Sequence, residues 1–530
     1  MKTLKRFVTI CLLSALAVLS VSAQSRRLLP PGGCFTADGD AARTRAVATR
    51  ASSPAMGDIC IPIILAAYSD VPFTVPNVQQ VWNDIANQPG YSEHGAHGSM
   101  RDYFFEQSRG QFRVTFDVLG PVTLPEKREF YGANTKYATD NRATTMIKDA
   151  CQKAIEQGAD FSRYDWNGDG SIESVLVVYA GPGENVVGAP AEYVWPKSGY
   201  APYAVGGKFR LSLFACTNEL VWPDMRQDGF GTLLHEFSHC LGLPDLYNVD
   251  ENVDDYIVFD EWDLMDGGCY SGGGWQPVGY SAYERYLCGW LQPEELLQPT
   301  AIDDLRPLTD GGSAYLVRND AKSDECFMLE NRQWQSFDYA LPGHGLLVTH
   351  ISEYGSSSLF PNSGENVIVY PVLADSRSFV DCLRDYVQEY YHAKLPNDVF
   401  SVPREYRDSL DDAFGRTRLM TQTAYPYVVD GTILNDRLTD DSTPAAVTLS
   451  PNAGGRKLLS RPITDIREND GLISFRFISS ADAIHDATTW ERLGRSVAYY
   501  DLQGRRLTNP ARGTLCVARY PDGTIKKVFR

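Results

Sequence analysis

The chain has 530 residues, more than one compact core usually serves, so more than one folded unit is expected. Its formal net charge of −18 argues against nucleic acid or an anionic membrane as partner, since phosphate binding needs a basic face. The 11 cysteines show no CxxC pair and are spread too thinly for a small disulfide scaffold.

The opening stretch, MKTLKRFVTICLLSALAVLSVSAQS, sets Lys2, Lys5 and Arg6 before an apolar run and closes it on Val21, Ser22 and Ala23. This is the pattern of a secretory signal peptide over 1–23, cut before Gln24. The apolar run is shorter than the roughly 20 residues that cross a bilayer, and no later segment is apolar for longer. The expectation is a secreted or cell-surface protein with no transmembrane segment, monomeric in solution. Residues 24–56, rich in Arg, Ala, Ser, Pro and Gly, read as a propeptide or flexible leader.

From there the chain alternates. ICIPIILAA (59–67) is a strand-like apolar run and SDVPF a turn; GSMRDYFFEQSRGQF (98–112) carries Met100, Tyr103, Phe104 and Phe105 at helical spacing. FRVTFDVLGPVTL (112–124) alternates like a strand, TTMIKDACQKAIEQG (144–158) is a second helix, and SVLVVYAG (174–181) a second buried strand. These elements predict an α+β catalytic unit over 57–295. Past Pro293 the pattern becomes short strand-like pieces, SAYLVRN, CFMLENRQW, HGLLVTHI, NVIVYPV and GLISFRF, interrupted by an irregular polar insertion. They predict a β-rich, sandwich-like unit over 296–479 packed on the first. A polar linker and a small C-terminal β module fill 480–530.

The stretch that carries chemistry is TLLHEFSHCLGLPDLYN (232–248). Positions i and i+4 share one helix face, so His235 and His239 can offer imidazoles to one zinc ion, and Glu236 can reach a metal-bound water as general base. Gly242 lets the helix stop and the chain turn back, and three residues later Asp245 can return a carboxylate to the same ion. The whole reads His-Glu-x-x-His-x-x-Gly-x-x-Asp, a metzincin-like pattern with aspartate in the third place. Met265 in EWDLMDGG (261–268) is then the methionine of a turn beneath the metal. Glu284, in the helical pattern YSAYERYL, is the alternative third ligand.

Together with WDLMDGGCY (262–270), PVGYSAYERYLCGWL (277–291), MLENRQ (328–333), ALPGHGLLVTHI (340–351) and the upstream DWNGDGSIESVLVVYAG, the motif resembles the immune inhibitor A family of secreted bacterial zinc peptidases over about Ile59 to Phe477. That resemblance implies a zincin-like catalytic domain and a zinc endopeptidase made as a zymogen, with zinc on His235 and His239 and catalysis on Glu236. Its partners would be protein or peptide substrates. The competing expectation is an exported surface or binding protein that keeps zinc and the peptidase fold without proteolysis. The presence of Glu236 favours catalysis, because a binder needs no base beside its metal.

A second metal is suggested by DWNGDGSIE (165–173), where Asp165, Asn167, Asp169 and Glu173 alternate around glycines as oxygen ligands of a calcium loop do, although the glutamate of the twelfth loop position is missing. The acidic run NVDENVDD (248–255) is expected to be a solvated loop. Cys34 in PPGGCF matches no cysteine-switch signature. Tyr270 and Tyr280 are candidates for an additional oxyanion donor, with aromatic packing the favoured role for each, and His344 and His350, which flank an apolar strand, are read as structural. The last segment, YYDLQGRRL to KKVFR, resembles the short C-terminal β modules of exported bacterial proteins, some of which are sorting signals, but Gly513, Thr514 and Leu515 depart from the usual Gly-Ile-Tyr.

Overall fold

The computed structural model describes residues 55–135, 140, 142–186, 188–250, 258–353, 361–377 and 423–477, with four short segments at 498–500, 505–507, 515–519 and 525–529. The signal peptide, nearly all of the leader with Cys34, most of the acidic run, the polar insertion and the linker near 480–490 lie outside the described residues.

The first unit is built on a mixed sheet. Strand β1 (Gly57–Ala67) runs parallel to β2 (Phe112–Thr123) on one side and to β3 (Ser171–Pro182) on the other, and β3 runs parallel to β6 (Phe209–Leu220). The short strands β4 (Lys197–Tyr200) and β5 (Ala204–Val205) both pair with β6 antiparallel. The apolar run of β1 is explained by burial on both faces, as in parallel sheets generally. Ile61, Ile63 and Leu65 join one core and Ile64 and Ala66 the other.

The first core holds helices α1 (Val78–Asn87) and α2 (Met100–Gln107), and the second holds α3 (Ala143–Glu156) through Met146, Ile147 and Ala150. Helix α2 starts on a capping box: Ser99 Oγ accepts the Asp102 N–H at 3.2 Å while Asp102 Oδ2 accepts the Ser99 N–H at 3.0 Å. The strands and helices expected at 59–67, 98–112, 112–124, 144–158 and 174–181 thus occur, while α1 is an addition to the reading. Its signal, Val78, Val81, Trp82, Ile85 and Ala86 at helical spacing, stands in the sequence.

Beyond Glu294 the described elements are strands and short turns of 3-10 helix. Five of the strands, including Ala314–Arg318, Cys326–Arg332 and Gly345–Ile351, form one sheet, and Thr300–Leu305, Ile463–Asn469 and Leu472–Phe477 form another. Phe327, Leu329, Leu346 and Val348 of the first sheet share a core with Leu305, Ile473 and Phe475 of the second. The opposite face, with Leu316, Met328 and Leu347, enters the core that also holds Phe237 and Met265. The alternation in each strand therefore serves two cores. The four terminal strands pair antiparallel in a separate sheet.

Candidate metal centre

Helix α4 (Gly231–Cys240) carries the histidines and is buried on all sides, with Leu233, Leu234 and Phe237 in the core. Its entry is pressed against the segment GGCYSGGG (267–274). A Cβ on Gly229 would lie 2.0 Å from the Gly274 carbonyl carbon, and one on Gly231 would lie 2.0 Å from the Cys269 carbonyl oxygen. Only glycine admits that approach. The helix ends at Gly242, whose φ of 90° reverses the chain. There Leu243 N–H donates to Ser238 O at 3.1 Å and Gly242 N–H to His239 O at 2.9 Å, the two bonds of a Schellman ending.

The reversal delivers Asp245 to the histidines. His235 Nε2 lies 3.3 Å and His239 Nε2 3.2 Å from Asp245 Oδ1, with all three side chains buried. The other ring nitrogens face main-chain carbonyls: His235 Nδ1 is 3.0 Å from Leu264 O, and His239 Nδ1 is 2.9 Å from Leu243 O. A carbonyl only accepts, so each Nδ1 carries the proton and donates it. In the neutral rings this leaves the Nε2 lone pairs directed toward a carboxylate oxygen. Two nitrogens and one oxygen, all electron donors, then converge within 4.8 Å of one another, a set that a zinc-like cation suits. Burial by itself would raise the Asp245 carboxyl, whereas protonated imidazoles at His239 and His235 would outweigh it and hold the group well below the usual carboxylate range.

Glu236 follows His235 on the same helix and is 2% exposed. Met265 is fully buried beneath the helix, and the turn around it touches both arms of the site: Leu264 O meets His235, while Met265 O accepts the Leu246 N–H at 2.9 Å, one residue after Asp245. The sequence contains no sign of these two carbonyl contacts, because any residue type supplies a carbonyl.

Glu284, the alternative ligand, is engaged elsewhere. In helix α5 (Ala282–Leu287) its Oε2 accepts the Ser281 N–H at 2.8 Å and the Ser281 hydroxyl at 3.0 Å. It is not part of the three-atom cluster. Tyr280 is fully buried, and its hydroxyl hydrogen-bonds Ser238 Oγ of α4. His350 is buried against Glu325 at 2.8 Å, and His344 contacts Glu468 at 2.8 Å.

At the second candidate, ligand atoms of Asp165, Asp169 and Glu173 lie within 4.8 Å of one another. Asn167 Oδ1 accepts the Asp169 N–H at 2.9 Å, and Asp165 Oδ1 and Oδ2 accept the N–H groups of Asp169 and Gly170. Glu173 Oε2 accepts the Trp166 N–H at 3.1 Å, while its Oε1 is buried with no hydrogen-bond partner. Burial raises the Glu173 carboxyl above its ordinary value.

Comparison with known proteins places this geometry in a family context. Residues 79–292 match the model of the immune inhibitor A peptidase M6 catalytic domain, a segment that contains α4, Asp245, Met265 and Glu284. The chain is 29% identical over 217 residues to immune inhibitor A of Bacillus thuringiensis subsp. alesti, covering 35% of this chain and 31% of that protein. It is 25% identical over 232 residues to pre-pro-metalloprotease PrtV of Vibrio cholerae serotype O1, covering 37% of this chain and 25% of that one. The chain thus spans about a third or less of the length of these relatives. The resemblance read from the sequence is borne out over the matched segment, which carries a metallopeptidase domain. No helix among the described residues is long and apolar enough to cross a membrane.

Proposed function

We propose that the protein is an exported zinc endopeptidase acting on extracellular proteins, a reading that starts from its peptidase M6 domain. The observation that carries it is the convergence of His235 Nε2, His239 Nε2 and Asp245 Oδ1, with both imidazoles fixed by main-chain carbonyls and Glu236 beside them. His235, His239 and Asp245 hold the metal, and Glu284 does not. A zinc ion bound there would lower the pKa of a water toward about 7 and polarise the scissile carbonyl. Glu236 takes the proton of the attacking water and then delivers it to the departing amine. The burial of Glu236 keeps this transfer out of bulk solvent.

The division of labour follows: residues 1–23 direct export, 24–56 act as a propeptide that keeps the enzyme a zymogen, 57–295 perform catalysis, 296–479 support it, and 480–530 form a terminal module. The loop at 165–173 holds calcium through Asp165, Asp169 and Glu173, with Asn167 shaping the turn. The buried unpartnered Glu173 Oε1 supports a cation there.

A digest of casein and gelatin tests the main reading, using the purified protein, Glu236→Gln and a chelated control. The wild type should cleave, and the variant should bind zinc in equal amount and not cleave. Equal cleavage by wild type and variant removes Glu236 from the mechanism, and zinc binding without cleavage by the wild type leaves the metal-containing binding protein instead. Calcium should raise the melting temperature of the wild type and leave that of Asp169→Ala unchanged.

A further inference from the structure

The arm that carries Asp245 is held on one side by the Met265 turn, whose carbonyl accepts the Leu246 N–H at 2.9 Å. Its other side is held from the β-rich part. Asn362, 0% exposed, donates from Nδ2 to Leu246 O at 2.8 Å, and its main-chain carbonyl accepts the Val249 N–H at 3.1 Å. Asn248, itself buried, reaches back: its Nδ2 donates to Gly364 O at 2.8 Å and its Oδ1 accepts the Gly364 N–H at 2.9 Å. Two asparagines from distant parts of the chain thus clasp the segment that follows Asp245.

We propose that Asn362 is a positioning residue for the third metal ligand: the β-rich part supplies the donor that fixes the Asp245 arm opposite the two histidines. This role rests on reading His235, His239 and Asp245 as a metal site. The amide has one workable orientation. Its Oδ1 accepts the N–H groups of Ile368 and Val369, each at 3.0 Å, and its Nδ2 donates to Val369 O at 2.7 Å as well as to Leu246 O. Both donors and both lone pairs are therefore used, and turning the amide over would set oxygen against two carbonyls and N–H against two N–H groups. The anchor is itself rigid. Asn362–Ser363 pairs antiparallel with Asn366–Val367, and the next strand, Val369–Pro371, pairs with Gly345–Ile351 of the five-stranded sheet.

The chain needs such an anchor at this point. His235 and His239 ride on α4, whose own hydrogen bonds fix their spacing, whereas Asp245 lies past the reversal at Gly242, beyond the end of the helix. Leu246 is gripped through its N–H by Met265 and through its carbonyl by Asn362, which leaves the preceding carboxylate little room to swing away. Changes at such outer partners cost about 10–100-fold in metal affinity.

Asn362→Asp keeps the size and the acceptor toward Ile368 and Val369 but turns an acceptor toward Leu246 O. Asn331→Asp makes the same change at another buried asparagine of the β-rich part, whose Nδ2 donates to Leu305 O at 2.7 Å and Gly471 O at 2.8 Å, and so controls for lost stability alone. Zinc release into a chelator would be measured on the loaded full-length proteins, with Asp245→Ala alongside, and amide exchange of segment 243–249 on the metal-stripped ones. Asn362→Asp should release zinc at least about tenfold faster than wild type and exchange this segment at least about tenfold faster, while Asn331→Asp matches wild type in both although its melting temperature falls. Wild-type zinc release from Asn362→Asp where Asp245→Ala speeds it, or equal acceleration in Asn331→Asp, overturns the proposal. If Asn362→Asp does not fold, Asn248→Ala, which opens the clasp from the other side, takes its place, and wild-type behaviour in both readouts overturns the proposal. If no form binds zinc, or Asp245→Ala releases it no faster than wild type, the metal-site reading has failed, and exchange alone decides whether Asn362 holds the segment.

Discussion

Arg332 and Asp338 form a fully buried ion pair with two parallel bonds, Nε to Oδ2 at 2.8 Å and Nη2 to Oδ1 at 2.7 Å, and Arg332 also donates to Gly279 O at 2.9 Å. Arg332 ends a strand of the β-rich part, whereas Gly279 leads into α5 below the metal centre. One guanidinium thus ties the two parts together, with Asp338 Oδ1 also accepting the Gly279 N–H at 3.1 Å.

Removing one member of such a pair strands a charge in the interior. Asp338→Ala should destabilise the protein by about 3–5 kcal/mol, while the double change Arg332→Met with Asp338→Leu should cost less, since the two opposite charges leave together and only the longer contact of Arg332 with Glu330, at 4.0 Å, is lost besides. Chemical denaturation followed by tryptophan fluorescence compares them. Equal losses in the single and double variants would show that the pair's packing, and not its charge, holds the junction.

Asp245 is the test of the metal shell. Asp245→Ala should weaken zinc binding at least about tenfold while the two histidines remain. Zinc content measured by atomic emission after dialysis against a weak chelator reads this directly. Unchanged zinc in the variant would require a different third ligand.

Gly242 turns the chain back at φ 90°, and the next residue's carbonyl holds His239 Nδ1. Gly242→Ala puts a side chain in the left-handed region at a cost of about 1–2 kcal/mol. The expected outcome is a lower melting temperature together with weaker zinc retention, because Leu243 O moves with the turn. A variant that loses stability but keeps its zinc affinity would separate the helix ending from the site.

The buried Glu325–His350 contact predicts an acid response. Burial alone would raise the Glu325 carboxyl, but His350 and the N–H groups of Leu449 and Ser450 bring it down to about 2. A folded value below the unfolded one, about 4.3 for a glutamate, gives stability that is fully present above the unfolded value and is lost as pH falls toward 2. Melting temperatures between pH 5 and pH 2 should therefore fall less steeply for Glu325→Gln than for wild type. Parallel curves would remove this pair from the acid response.

Much of the candidate metal site was legible because its chemistry lies in side chains at fixed local spacings. His235 and His239 share a helix face by the period of the helix alone, and Gly242 announces the turn that brings Asp245 back. The long apolar run of β1 likewise identified a strand, and the structure covers it on both faces. Helix α1 could have been read from its Val-Trp-Ile spacing.

Other features have no local signature. Glu284 stood in the sequence as the alternative to Asp245; in the structure its carboxylate is taken by the Ser281 N–H and hydroxyl, outside the three-atom cluster. The carbonyls of Leu264 and Leu243 that orient the two imidazoles belong to the backbone, and no residue choice records them. The sequence by itself determined which groups could bind a metal and which helix bears them, because periodicity and chain reversal are local. Only the tertiary structure decided which carboxylate faces the imidazoles and what holds them in place, because burial and contact are set by segments that meet only when the chain has folded.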